Sequence, residues 1–487
     1  MALLDLGARS ERLFLAGEWT TGSGVTRDVV CPSDGSSLGT VGLADASDVD
    51  RAVRAARRAQ PAWAAAPFDE RAAVLRRAAA LLEANADEYA GLLVGEAGSA
   101  RGKAAFEVGL VVSELHFAAA LALAPTGQVL RTAKPRLSLA QRVPVGVVGV
   151  ISPFNFPGIL STRSVAPALA LGNAVVLKPD PRTAVTGGLF LAELLAQAGL
   201  PAGVLSVLPG GAEAGGALVE HPDVRVISFT GSTAAGRRVG EQAGRLLKRA
   251  HLELGGNNAL VVLDDVDVDA AVSAGAWGSF LHQGQICMTA GRHLVHASVY
   301  DRYVDGLAAS ADRLPVGDPR SDDVALGPII DAHQRDHVHE LVTASVDAGA
   351  RLAAGGTYDE LFYRPTVLAE VRPDHRAFAE EVFGPVAPVL RFESEDELVD
   401  VVNRSEYGLS LGILTRDVMR GLSLAERLPS GIVHINDQTV DDESVAPFGG
   451  VAASGTGVRF GGFEANAEAF TETRWITAQG SIERYPF

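Results

Sequence analysis

Only two of the 487 residues are cysteine, Cys31 and Cys287. That scarcity excludes a disulfide framework and fits a reducing compartment. Positive charge is also short, with 42 Lys and Arg against 59 Asp and Glu and a formal net charge of −17. A nucleic-acid partner is therefore excluded, because binding a polyanion draws on a basic stripe that neutralises phosphates, and none is present. No window approaches the roughly 20 uninterrupted apolar residues of a membrane-spanning helix. The start of the chain, Met1 to Asp5 followed by Arg9, Glu11 and Arg12, has neither the charged nor the apolar region of a signal peptide. No membrane association and a cytoplasmic location are expected. Internal repeats and low-complexity linkers are absent, and no metal-ligand signature of the H-E-x-x-H or paired-Cys kind occurs.

What is there reads as a soluble α/β protein. At 487 residues and 50.7 kDa the chain is too long for one ordinary domain, so two large domains, with or without a small appendage, are expected. Ala46 to Gln60 and Asp69 to Gly98 have helical spacing. From Val145 onward, short β-branched runs alternate with helical stretches: Val145–Ile151, Ala174–Leu177, Val204–Val207, Val226–Phe229 and Ala259–Leu263. Continuous hydrophobicity means strands buried on both faces, and intervening helices make a doubly wound parallel sheet the economical arrangement. A second alternation follows Asp267: a helix Val268–His282 delivering Cys287, a strand Leu294–His296, helices Tyr300–Leu314 and Asp331–Ala348, and a strand ending at Val433–Asn436. The boundary between the two is placed near Gly255-Gly256.

In such sheets ligands bind beyond the carboxyl ends of the strands, so the loops there are the candidates for chemistry. Cys287 ends the segment Gln283-Gly284-Gln285-Ile286-Cys287, with Glu253-Leu254-Gly255-Gly256 upstream. A thiolate with a carboxylate nearby in space is the equipment of covalent catalysis, although a free cysteine can equally be a small buried hydrophobe. Asn155 lies between two phenylalanines and two prolines in a stiff loop that would fix its amide, as an oxyanion donor or as a turn former. Glu253, flanked by leucines, should have a raised pKa suited to general-base work; the alternative is a surface charge at a strand end. Thr230 to Gly236 follows a strand and opens a helix, where a phosphate could meet backbone N–H groups. It lacks the G-x-G-x-x-G pattern, and capping by Ser232 or Thr233 would account for it as well. Lys178 either reaches a nucleotide ribose or phosphate or is merely solvated. His333, His337 and His339 read as a solvated helix face, and Asp264 to Asp269 as an Asp-rich helix start.

Six segments in order carry a resemblance: Pro153-Phe154-Asn155-Phe156-Pro157, Phe229-Thr230-Gly231-Ser232-Thr233, Glu253-Leu254-Gly255-Gly256, Gln283-Gly284-Gln285-Ile286-Cys287, Glu380-Glu381-Val382-Phe383-Gly384-Pro385 and Pro447-Phe448-Gly449-Gly450. Together they resemble the aldehyde dehydrogenase superfamily over nearly the whole chain. The resemblance implies an aldehyde dehydrogenase-like fold of two doubly wound parallel-sheet domains plus a small bridging element. Residues 1–125 and 145–254 would form the NAD(P)-binding domain, 255–470 the catalytic domain, and 126–144 with 471–487 the bridging and oligomerisation element of a homodimer or homotetramer.

The same resemblance makes Cys287 the nucleophile, Glu253 the general base and Asn155 the oxyanion donor together with the Cys287 backbone N–H. It assigns cofactor contacts to Ile151, Ser152, Pro153, Phe154, Lys178, Asp180, Gly211, Gly231, Ser232, Leu254, Glu381 and Phe383, and no metal. The implied reaction is non-acylating: the Cys287 thiolate attacks an aldehyde, a thiohemiacetal is oxidised to a thioester, and Glu253 activates water to release the acid. Where NAD-preferring relatives carry Glu three residues after the lysine, this chain has Pro181. Asp180 beside it could still repel a 2′-phosphate, so NAD is expected with NADP possible. Asn257 and Ala452 replace family lysines. The stretches Lys178–Thr183, Gly255–Asn258 and His434–Thr439 are most similar to the benzaldehyde and vanillin dehydrogenase branch, and the apolar Phe156, Leu160, Ile286 and Met288 would suit a flat ring or a medium aliphatic chain. Rival expectations are an aliphatic or semialdehyde substrate, acyl transfer to coenzyme A, and a catalytically silent binding protein on the same fold.

Overall fold

A computed structural model describes residues 3–487. Two seven-stranded sheets organise them. The first runs Arg249–Glu253, Val224–Thr230, Val147–Ile151, Ala174–Lys178, Leu205–Val207, Arg12–Leu15 and Glu18–Thr21 from edge to edge. Its first five strands are mutually parallel, and an antiparallel pair from the N-terminal region closes the far edge. Every residue of Val147–Ile151 and Ala174–Lys178 is buried. Val147 and Ile151 point into one core with Ala52, Val53 and Leu218, whereas Val148 and Val150 point into the other with Val165 and Leu169. The two-faced burial follows from the β-branched runs, which leave no polar face to present to water.

The second sheet runs Arg351–Ala354, Thr366–Ala369, Val386–Phe392, Arg292–His296, Ala259–Val262, Ser410–Leu414 and Ile432–Ile435. All neighbours are parallel except the first, an antiparallel edge strand. The chain crosses from one sheet to the other between Glu253 and Ala259. A third sheet of three strands pairs Thr471–Ala478 with Leu137–Pro144 and that in turn with Gly127–Val129.

Two local expectations are corrected. The helix read over Asp69–Gly98 is two, Phe68–Ala84 and Ala86–Ala97, broken at Asn85, whose side chain donates to the Leu81 carbonyl at 2.7 Å and pulls its backbone out of the helical region. The helix read to His282 stops at Phe280, because His282 and Gln283 adopt left-handed backbone angles. Arg101–Leu121 forms a 21-residue helix that is long and apolar enough by length and composition to cross a membrane, although charged residues interrupt it as the sequence implies. It packs instead against Phe68–Ala84 and Pro157–Ala170, with Lys103, Glu107 and Glu114 buried in the protein.

Candidate active site

Strand Val147–Ile151 runs into the loop that carries Asn155, which is 3% exposed and donates its side-chain N–H to the Gln285 carbonyl at 2.8 Å. A buried network holds this loop from behind. Lys103 Nζ donates to the Asn155 carbonyl at 2.9 Å, to Ser99 Oγ at 3.1 Å and to Glu107 at 2.5 Å. Glu107 then accepts from the backbone N–H groups of Gly158 and Ile159 at 2.7 and 3.3 Å. Helix Pro157–Ala170 has no side-chain cap of its own, so Glu107 supplies the anion its N-terminus favours. Sequence reasoning missed both residues. Their i, i+4 spacing was visible, but nothing local tied them to a loop some 50 positions away.

Cys287 is delivered by the turn that ends helix Val268–Phe280. His282, Gln283 and Gly284 have φ of 49, 55 and 66° in succession, a costly run held by neighbours on both sides. Gln283 Nε2 donates to the carbonyls of Gly98 and Pro328 at 3.0 and 2.7 Å, and Gln285 Oε1 accepts from the Ile330 N–H at 3.1 Å. Gly284 lies so close to the Gly384 carbonyl that a Cβ would sit 2.0 Å from its oxygen. Asn258 Nδ2 donates to the Cys287 and Thr289 carbonyls, both at 2.8 Å. Asn257, in place of the family lysine, donates to the Phe378 carbonyl at 2.7 Å.

Cys287, Asn155, Phe156, Leu160, Ile286 and Met288 line one cavity, joined by Phe106, Leu110, Val440 and Phe448. Two charged side chains that sequence reasoning missed, Arg163 and Asp442, complete the wall as an ion pair, with the guanidinium 4.2 Å from the Phe448 ring centre. Glu253 does not line this cavity. It lies at the end of the first sheet's edge strand, bridged to Gly455, close enough for its charge to act on the Cys287 thiol.

Burial dominates the electrostatics. It pushes the Cys287 thiol up to about 12, with Glu381 adding to the shift and Arg163 opposing it. Burial likewise pushes Glu253 up to about 8, against the pull of Arg163 and of the Gly450 N–H, which donates to Oε2 at 3.2 Å. Glu253 Oε1 is buried with no protein partner, as suits a group that meets water or a reacting proton.

The parts named for a cofactor lie at the carboxyl ends of the first sheet's strands. Ile151 ends one strand and Ser152 to Phe154 follow it, Lys178 ends the next, and Gly231 and Ser232 follow a third. Ser232 caps helix Thr233–Arg245, and Gly236 lets Leu254 close onto that helix, since a Cβ there would meet the leucine at 2.2 Å. Gly211 starts helix Ala212–Glu220 with no side-chain cap and open space at its Cα. Lys178 is buried, its ammonium bonded only to the Pro179 and Gly210 carbonyls at 3.2 and 2.8 Å, and desolvation lowers it to about 8. Glu381 presses on Gly255, accepts from the Gly256 N–H at 3.0 Å and is pushed up to about 7 by burial. Phe383, at φ 53°, meets Phe154 edge-on at 5.9 Å. A buried lysine without a carboxylate bonded to its ammonium, a second helix start without a cap, and a half-buried carboxylate against Gly255 and Gly256 fit a dinucleotide: ammonium and helix N-terminus toward phosphate or ribose, carboxylate toward hydroxyls. Arg182 grips both oxygens of Asp180 at 2.9 Å, and the same guanidinium reaches Asp331, so two carboxylates share one cation beside Lys178.

The other singled-out groups are structural. His339 meets the Tyr363 hydroxyl at 3.2 Å, and Asp267 caps helix Val268–Phe280. Among the described residues no group of three or more His, Cys, Asp or Glu side chains is placed to hold a metal ion.

Comparison with known proteins agrees with this geometry. Residues 19–476 match the model of the aldehyde dehydrogenase family. The chain is 63% identical to a vanillin dehydrogenase of Amycolatopsis sp. over 487 residues, all of both chains. It is 52% identical over 470 residues to a benzaldehyde dehydrogenase [NAD(+)] of Pseudomonas putida, covering 96% of each. A solved NAD+ complex of aldehyde dehydrogenase from Bacillus cereus superposes with a TM-score of 0.94 at 33% identity, covering 97% of each chain. With a fold, a half-buried thiol and a neighbouring raised carboxylate that all agree, the chain belongs to the aldehyde dehydrogenase family.

Proposed function

We propose that this protein oxidises an aromatic aldehyde of the benzaldehyde or vanillin type to the carboxylic acid, with NAD as acceptor and NADP possible. The observation that carries the reading is the cavity itself, in which Cys287 and Asn155 share walls of Phe106, Phe156, Ile286, Met288 and Phe448 that suit a flat ring. The names of the vanillin and benzaldehyde dehydrogenases to which the chain is similar support it.

Cys287 adds to the aldehyde carbon once its thiol proton has passed to solvent water. Arg163 is the protein cation whose charge favours the thiolate. Asn155 has a second N–H beyond the one given to Gln285, and with the Cys287 backbone N–H it would hold the oxyanion of the thiohemiacetal. The dinucleotide, when bound, supplies the hydride acceptor, and Lys178, Ser232, Gly211 and Glu381 would hold it. Glu253 then takes a proton from the water that hydrolyses the Cys287 thioester. With its pKa near 8 the base is on the order of one-tenth ionised at pH 7.

Residues 1–125 with 145–254 serve as the cofactor-binding domain, 255–470 as the catalytic domain, and 126–144 with 471–487 as the bridging element. The three-stranded sheet exposes Val129 and Trp475 and ends in an edge strand, which supports a homodimer or homotetramer. A cytoplasmic location is part of the same reading, supported by the two unpaired cysteines.

A steady-state screen of aromatic against short aliphatic aldehydes, with both cofactors and with and without coenzyme A, tests the proposal. Benzaldehyde or vanillin with NAD should give the free acid at the highest kcat/KM. Equal or better turnover of aliphatic semialdehydes would overturn the aromatic assignment, and an acyl-coenzyme A product the role of Glu253.

A further inference from the structure

Arg163 puts a buried guanidinium, its side chain 7% exposed, on the wall of the cavity that holds Cys287. A free arginine in such a place would be a receptor for a substrate carboxylate, since its planar fork matches that anion in two hydrogen bonds. Here the fork is engaged. Asp442, with 13% of its side chain exposed, forms an ion pair with it from the loop ahead of Phe448, and the Phe448 ring lies 4.2 Å from the guanidinium. The remaining ionisable groups acting on this pair and on Cys287 are carboxyls: Glu114 from helix Arg101–Leu121, Asp441 from the same loop, Glu253 and Glu381. Glu114 is itself buried with one oxygen unpartnered.

Resting on the reading of this cavity as the seat of an aromatic aldehyde, we propose that the Arg163–Asp442 pair is a specificity device that rejects aldehydes bearing a second, anionic group. An uncharged ring meets an ion pair of zero net charge and loses nothing. A ring carboxylate has to shed its water against a wall whose other charged side chain is Asp441, while the one guanidinium there already has its counter-ion. That desolvation goes uncompensated. The exclusion acts by charge, not size, and Asp442 imposes it by occupying Arg163.

In the unaltered enzyme, 4-formylbenzoate is compared with its larger, uncharged methyl ester and with benzaldehyde. The acid should be oxidised with a kcat/KM at least about tenfold below that of the ester, mostly through KM, the equivalent of about 1.4 kcal/mol. In Asp442→Asn, which keeps the size of the side chain and removes its charge, the ratio of kcat/KM for acid over benzaldehyde should rise about tenfold or more. In Arg163→Met/Asp442→Asn that gain should vanish. Equal efficiency of acid and ester in the unaltered enzyme overturns the inference, as does an unchanged ratio in Asp442→Asn or a gain that survives loss of Arg163. Failure to oxidise benzaldehyde at all would instead defeat the aromatic reading beneath it. The acid–ester comparison needs no variant, so a misfolded Asp442→Asn leaves the test intact.

Discussion

Replacing Asn155 by alanine should produce two losses of different size that can be measured apart. The side chain is 3% exposed and its N–H is bonded to the Gln285 carbonyl at 2.8 Å. Removing it takes one donor from the oxyanion of the thiohemiacetal, which in comparable sites costs about 100- to 1000-fold in turnover, or roughly 2.7–4 kcal/mol. It also leaves the Gln285 carbonyl without that donor, a loss of about 1–3 kcal/mol in stability. Stopped-flow measurement of the NADH burst reads the first effect, because the donor acts before the thioester forms. Denaturant unfolding reads the second. Cofactor affinity should stay within a few-fold, since Lys103 continues to hold the loop through its backbone. A burst rate within tenfold of the unaltered enzyme would refute Asn155 as oxyanion donor, whatever happened to stability.

Glu253→Gln should leave the burst and lower steady-state turnover by about 100- to 10,000-fold, because only thioester hydrolysis needs the base. Turnover of the unaltered enzyme should climb with pH and level off above about 8, since the buried carboxyl is protonated and useless as a base below that value; Glu253→Gln should lose the climb. By linkage the same upward shift, from 4.5, makes this group's contribution to stability fall as pH rises from about 4.5 to about 8 and level off above that, once the carboxyl is ionised in both states. Alkylation of Cys287 by iodoacetamide without cofactor should be slow at pH 7.5 and gain about tenfold per pH unit toward 10, as expected of a thiol pushed up to about 12; labelling at the rate of an ordinary thiol would contradict that. Lys103→Met should destabilise the protein by about 3–5 kcal/mol in denaturant melts by stranding Glu107, whereas Lys103→Met/Glu107→Leu should recover part of it.

The parallel sheets were legible because β-branched runs such as Val147–Ile151 have no other way to hide both faces, and the loops after them were legible because strand ends face ligands. Cys287, Glu253 and Asn155 stood out by residue type in Gly- and Pro-rich company. Arg163 and Asp442 did not. An arginine in the middle of a helix looks like a solvated face until its partner, far along the chain, is folded against it. Lys103 and Glu107 were hidden for the same reason, since nothing in their own helix names the loop they hold. The upward push on the Cys287 thiol was not legible, because motif alone says nothing of dielectric, which the surrounding packing sets.

Because the base ends an edge strand of one sheet while the thiol hangs from a turn docked on the other, the acylated enzyme is discharged only while two separately built halves stay in register. A small tilt between them would leave each half intact by circular dichroism yet strand the acyl group on sulfur. Accumulated thioester is therefore the signature by which mild heat or early denaturation would first reveal itself in this protein.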